Sequence, residues 1–590
     1  MAPSNGKEEV GGPSVRSRIV RFLLAALSPI LLVASLLPIA HATSDQEERF
    51  RAEMPAEDGW HGVNFDNTIK AWGLPSSILA RLPGDWTINS NVAFCRTLED
   101  SECIKPGLIL HVRALFDQCT SDSDRDCIVS FGATKPDGTK LKGELKEVLA
   151  SQSAFAGDLK QGIPDGAGAS IWTLKDGNAS QDYALVAGLE LRVNGAAESR
   201  AAGNDSRVSR VKMISALQPV ELVNSPQYRE VTQQVVDGIS TGNASSIGEC
   251  FVVANGKCAQ NKAFDTSMSF DLTVRMSKGV PGWMVGRIQD FKLGSKELPN
   301  QSGFEMTVSG NPSKVGAVIA WSKWTDTTSE IRNLYAQGVD GQQWRAGKQV
   351  SEELMMQNGE SRTILTLINE AGERSIKHFN AWIPLISDKA TAMRTRWNLQ
   401  SVDDRSGQYD QCSAGKGLVG VINSNASVYS DGPPTFNRAT GTLEYKVAAP
   451  HYISDGTTKH IGSYDLTMRS DVARCLYGFS NAPISATLSI ESDGGTNIIS
   501  TESVSEVDGL IKLRASGFTF SSPTIKVKLS QSSTTPSPSA SPTPSASSSS
   551  TPTVKKPAST ASKKFTCVKG KEKVKISASK GRCPAGFKKA

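Results

Sequence analysis

Short runs in which apolar and polar residues alternate recur along this chain. In "LELRVNG" (Leu189 to Gly195), Leu189, Leu191 and Val193 stand against Glu190 and Arg192. In "TIKVKLS" (Thr524 to Ser530), Ile525, Val527 and Leu529 stand against Lys526 and Lys528. "GLIKLRASG" and "TGTLEYKVAAP" repeat the pattern more loosely. A helix would smear a period of two around its whole circumference, whereas a strand sorts it onto two faces. Such a chain builds sheets with one face in a core. Turn signals separate the runs: "PDG" at 136–138, "EAGE" at 370–373 and "DGG" at 493–495. The expected fold is mainly β, with stacked antiparallel sheets in sandwich-like domains.

One stretch departs from this rule. "WTDTTSEIRNLYAQG" (Trp324 to Gly338) offers Thr and Ser caps, then Ile331, Leu334 and Tyr335 at helical spacing, then a Gly stop. "SEELMMQNGE" (Ser351 to Glu360) predicts a second short helix. A mixed α/β segment therefore separates two β regions. Those regions share a short repeat, "FDLTVR" from Phe270 and "YDLTMR" from Tyr464. Alternation places Asp271, Thr273 and Arg275, and likewise Asp465, Thr467 and Arg469, on the outward face of a strand. Each continuation reads as a loop and a second strand, so the two β domains are expected to be related.

The first 42 residues carry Arg16, Arg18 and Arg21, then an apolar run from Phe22 to Ala40, then Ala40-His41-Ala42. This is the layout of a cleavable secretory signal peptide, and an uncleaved anchor is the alternative. After cleavage no membrane span is expected, and the destination is secreted or extracellular, at the cell surface. The ten cysteines suit an oxidising compartment. Cys95 and Cys103, Cys119 and Cys127, and Cys250 and Cys258 share one spacing, which suits a bridge across a hairpin or short loop. Cys412 with Cys475, and Cys567 with Cys583, complete five expected disulfides. Zinc would require closer Cys or His pairs, and the sequence has none at that spacing.

Charge is unevenly placed. From Lys555 onward, 11 Lys, one Arg and one Glu leave +11 against +6 for the whole chain, so residues 1–554 carry −5. The signal segment accounts for +2, leaving −7 on residues 43–554. An acidic body argues against nucleic acid as a partner, while the basic end seeks polyanions. Between them, "SQSSTTPSPSASPTPSASSSSTPTVKKPASTASKK" is Ser/Thr/Pro low complexity that cannot bury a core. The expected organisation is a signal segment at 1–42, a β-rich domain at 43–300, the mixed segment at 301–395, a β-sandwich-like domain at 396–530, a disordered linker at 531–564 and a basic disulfide-closed module at 565–590.

The ending "FTCVKGKEKVKISASKGRCPAGFKKA" alternates Lys with Val and Ile in "KEKVKIS", which predicts a short two-stranded unit. It resembles a short C-terminal module of secreted actinobacterial proteins, read as T-C-V-K-G-K followed by C-P-A-G-F-K-K. The resemblance covers only the terminal module. It implies an actinobacterial secreted or cell-surface protein and assigns no activity.

Candidate chemistry is sparse. "GISTG" (Gly238 to Gly242) matches a nucleophile-elbow pattern at Ser240, but the following "NASSIGEC" has no helical period, so it reads as a turn. His61, His111, His378, His451 and His460 form no metal or catalytic motif. "CTSDSDRDC" places Asp122, Asp124 and Asp126 as D-x-D-x-D inside an expected disulfide loop, which makes them candidate Ca²⁺ ligands. Position 6 would be Cys127 and position 12 Ala133, so the loop is not an EF-hand. No other cofactor is indicated. Trp321, Trp324, Trp344, Trp382 and Trp397 are core residues or a glycan-stacking platform, with burial the ordinary fate of large aromatics. The expected role is binding or structural at the cell envelope, with the basic tail docking on wall polyanions or glycans. A glycan-directed secreted hydrolase without a local motif is the alternative, and a Ca²⁺-dependent adhesin is a third.

Overall fold

The computed structural model describes residues 59–65, 76–81, 93–101, 107–149, 153–194, 208–224, 250–299, 303–336, 364–367, 373–499 and 503–531 with short gaps, and strands within 564–589. It is mainly β. The described strands form a 21-stranded hydrogen-bonded network, a six-stranded sheet and a three-stranded sheet.

The alternating runs behave as their pattern demands. Leu189, Leu191 and Val193 are buried, as are Ile525, Val527 and Leu529, and Ile511, Leu513 and Ala515. The "PDG" turn, with Gly138 at φ 87°, joins antiparallel strands Cys127–Thr134 and Lys140–Val148. Burying one apolar side chain from each such position stabilises the fold by about 1.5–3 kcal/mol, so the pattern itself supplies the drive to stack sheets.

One ladder runs through the body of the molecule. Its order is Ala93–Cys95, Ser77–Arg81, Ile109–Leu115, Ala179–Asn194, Val208–Asn224, Ala392–Val402, Gly282–Gly286, Leu418–Ser424, Ile461–Arg469, Leu510–Thr519 and Ser503–Val507. Every pairing is antiparallel except that of Gly282–Gly286 with Leu418–Ser424, which is parallel. The ladder crosses positions 300 and 395, so strands from both β regions share one sheet.

Two further sheets cover it. Lys140–Val148, Cys127–Thr134, Ser269–Met276, Phe304–Gly310 and Ile288–Glu297 make one. Against the ladder they enclose a core holding Phe131, Trp172, Tyr183, Phe270 and Trp397. The six-stranded sheet, which includes Thr442–Ala448, Thr524–Gln531 and Ile484–Ser492, encloses a second core with Tyr409, Tyr445, Tyr464 and Phe518. The strand Gly282–Gly286 serves both: Met284 enters the first core, while Trp283 and Val285 enter the second. That explains why "GWMVG" has no polar position.

The mixed segment contributes helices Ser329–Ala336 and Glu373–Trp382. Thr328 caps the first, its hydroxyl accepting from the Ile331 N–H at 3.2 Å. They pack Ile331, Phe379 and Trp382 onto Val63 and Val318, with Phe65 edge-on to Phe379 at 5.2 Å. The helix expected at 351–360 lies outside the described residues. Two helices differ from expectation. Glu373–Trp382 begins where "EAGE" reads as a turn, and Ser470–Tyr477 replaces the loop expected after the second repeat. Val472 and Ala473 face the second core, and Gly478 ends that helix at φ 66°.

Disulfides join Cys119 to Cys127, Cys250 to Cys258 and Cys412 to Cys475. Cys95 is also disulfide-bonded. Cys103 and Cys583 lie outside the described residues.

Candidate functional site

Each Asp-Leu-Thr strand is an interior strand with an antiparallel partner on both sides. Ser269–Met276 lies between Cys127–Thr134 and Phe304–Gly310, and Ile461–Arg469 lies between Leu418–Ser424 and Leu510–Thr519. In each case the following strand belongs to a different sheet. Phe270, Leu272 and Val274 are buried, as are Tyr464, Leu466 and Met468. Their other faces are not freely solvated, which corrects the expected outward face. Arg275 and Thr467 are buried, and Asp271 is half-buried, with burial raising its carboxyl above the usual range. Gly132 leaves room for that carboxylate, since a Cβ there would sit 3.1 Å from Asp271 Oδ2. Asp465 lies 3.6 Å from the Arg514 guanidinium, and Arg469 bridges Asp471 at 2.9 Å.

Arg275 explains the acidic loop. Its Nη1 donates to the Ser121 and Asp122 carbonyls at 3.2 Å, and its Nη2 reaches Glu305 at 3.2 Å. Within that loop the three aspartates do three different things. Asp122 is fully exposed, 3.8 Å from Arg275. Asp124 accepts from the Thr120 and Ser121 amides and hydroxyls, and these bonds hold its carboxyl well below the usual carboxylate range. Asp126 is buried at φ 57° and accepts from the Ser277 N–H at 3.0 Å, with burial pushing its pKa up. Among the described residues no group of three His, Cys, Asp or Glu side chains is placed to hold a metal ion.

Of the histidines, the structure brings together His451 and His460. The His460 N–H donates to the His451 carbonyl at 2.8 Å, and Phe520 serves both: its carbonyl lies 2.9 Å from His451 Nδ1 and its ring 4.8 Å from the His460 ring. Asp388 Oδ1 accepts from the His451 backbone N–H at 2.8 Å and not from its ring. The arrangement therefore ties chain segments together and does not hold a base against an acid. His460 is buried, and desolvation lowers its pKa to about 4 against the pull of the Pro450 and Lys314 carbonyls. His378 is buried on its helix, and His111 lies within Ile109–Leu115. Nothing is described of the His61 side chain, and Ser240 and Trp344 lie outside the described residues. Trp324, Trp382 and Trp397 are buried, and Trp397 Nε1 donates to the Gly310 carbonyl at 3.0 Å, so these three serve the core.

Sequence reasoning missed the most polar part of the interior. The polar run "INSNAS" (Ile422 to Ser427) has no apolar alternation, yet Asn423, Ser424, Asn425 and Ser427 are all buried. Arg287 is 1% exposed; its Nη1 donates to the Ser424 carbonyl at 2.7 Å and its guanidinium lies 4.2 Å from the centre of the Tyr429 ring. Burial pushes its pKa down while Tyr429 and Tyr445 favour the charge. Asn423 Oδ1 accepts from the Ile288 N–H at 3.2 Å, and Asn425 bonds the Ile461 carbonyl and the Ser463 N–H, each at 2.8 Å. These groups bind backbone from neighbouring strands and so fix their register. The only available signal was an Arg just after a wholly apolar strand.

Residues 533–590 form a unit separate from the rest, and its described residues are three short strands. Lys564–Lys569 pairs antiparallel with Glu572–Ser577, as its alternation predicts, and Lys588–Lys589 adds a third strand on the other side. No protein-family model, no curated protein and no solved structure matches this chain.

Proposed function

We propose that this is an exported, envelope-associated β-protein with a binding or structural role, held at the surface by its basic C-terminal unit. In this reading residues 1–42 are removed, two related sandwich-like domains flank the mixed segment, and a Ser/Thr/Pro spacer carries a disulfide-closed module that docks on wall polyanions. One observation carries it: +11 is gathered from Lys555 onward while residues 43–554 hold −7. Such a separation concentrates attraction for a polyanion at one end and leaves the acidic body repelled from it. The disulfides agree with an oxidising compartment. No helix among the described residues is long and apolar enough to cross a membrane.

The test is retention on a cell-wall fraction by the mature protein with and without residues 530–590, across a salt series. The intact chain should bind at low ionic strength and release as salt shortens the screening length from about 10 Å at 0.1 M to about 3 Å at 1 M. Equal retention of both forms would end the docking role of the tail.

A further inference from the structure

We infer that the polyanion is met by one particular face of the terminal sheet, made by Lys564, Lys573, Lys575 and Lys588. The inference rests on the docking reading above and deepens it. In an antiparallel pair, residues directly opposite one another lie on the same side of the sheet. The observed register pairs Lys564 with Ser577, Thr566 with Lys575, and Val568 with both Lys573 and Lys588. These seven positions form one face, and four of them are lysine. The other face takes Phe565 with Ile576, Cys567 with Val574 and Lys589, and Lys569 with Glu572. The single acidic residue after Lys555 is thus on the face opposite the four lysines.

Each of the three cross-strand rows on the basic face contains at least one lysine. Rows on one face repeat about every 7 Å along a strand, and neighbouring strands lie about 4.8 Å apart. A flexible polymer of phosphodiesters laid along the strands would meet a cation at every row. A membrane surface is the less favoured occupant. Membrane-docking faces set aromatic and aliphatic residues beside their cations for insertion; here Val568 is the one apolar residue on the lysine face, while Phe565, Val574 and Ile576 fall on the opposite one. The preferred ligand is therefore a linear polyanion of phosphate diesters.

The mature full-length protein is titrated with poly(glycerol phosphate) and, separately, with phosphatidylglycerol vesicles. One variant changes Lys564, Lys573, Lys575 and Lys588 to Ser; a second, of equal charge loss, changes Lys555, Lys556, Lys569 and Lys589 to Ser. A third replaces the first four by Arg, which keeps the charge and controls for folding. The expected result is at least about a tenfold loss of polymer affinity in the first, about threefold or less in the second and near-native binding in the third, because phosphate contacts give a steep, charge-counted dependence. Equal losses in the first two variants would overturn the face while leaving tail docking standing. Binding to vesicles but not to polymer would overturn the ligand class. Absence of binding to either at low salt would sink both this inference and the docking reading.

Discussion

At the scale of single residues, two positions report directly on the packing. Gly420 faces Trp283 across the parallel pair, and a Cβ there would sit 2.3 Å from the indole. Gly420→Ala is expected to destabilise the body by about 1–3 kcal/mol, because a filled core must displace a ring to admit it. An unchanged urea midpoint would contradict the close approach. His460 makes a pH prediction. Its folded pKa, about 4, lies below the ordinary imidazole value of 6.5, so the unfolded chain binds the proton more tightly. Nothing is lost above pH 6.5; stability falls as pH drops from there to about 4, by up to about 3 kcal/mol. Urea midpoints of the wild type and His460→Gln at pH 7 and pH 5 should show a smaller acid loss in the variant. An identical loss in both would assign the effect to other groups.

At the scale of elements, the disulfide from Cys412 to Cys475 ties the short helix Asp410–Ser413 to the helix Ser470–Tyr477, across a sequence separation of 63. Closing a loop of that length should contribute roughly 2–4 kcal/mol. The Cys412→Ser, Cys475→Ser double variant should unfold that much more easily, measured by denaturant titration, and a neutral outcome would mean that Tyr409 and Val472 already fix the two helices. This pairing could be read in the sequence because the partners are neighbours among the cysteines. Strands such as Thr524–Gln531 were legible for a different reason: their burial depends only on alternation. Ser470–Tyr477 was not, since Asp and Arg around Val472 and Ala473 look like a polar turn until the Gly478 stop is weighed. The Asn423 to Ser427 run was illegible outright, because a loop and a buried hydrogen-bonded seam have the same composition. The acidic loop was found, but its chemistry depends on Arg275, far away in sequence and brought beside it by strand pairing.

At the scale of the whole molecule, strands from Ser77–Arg81 to Leu510–Thr519 share a ladder, and two cores meet on opposite sides of Gly282–Gly286. Trp172 reports on one core and Trp283 on the other. Variants keeping one or the other indole are therefore expected to report a single, coincident denaturant transition; two well-separated midpoints would show that the cores unfold independently. The charge division between body and tail was legible, because it is a count. The shared ladder was not, since nothing local in "GWMVG" names its partner. That partner also dictates an order of events. A chain delivered N-terminus first presents Gly282–Gly286 long before Leu418–Ser424 arrives, and until then its unpaired edge is apolar on both faces. Non-local closure of this kind is slow, and bare edges recruit other chains. Shortened chains ending before Leu418 should accordingly be recovered as aggregates, so timely delivery of the second half is what keeps the first half out of them.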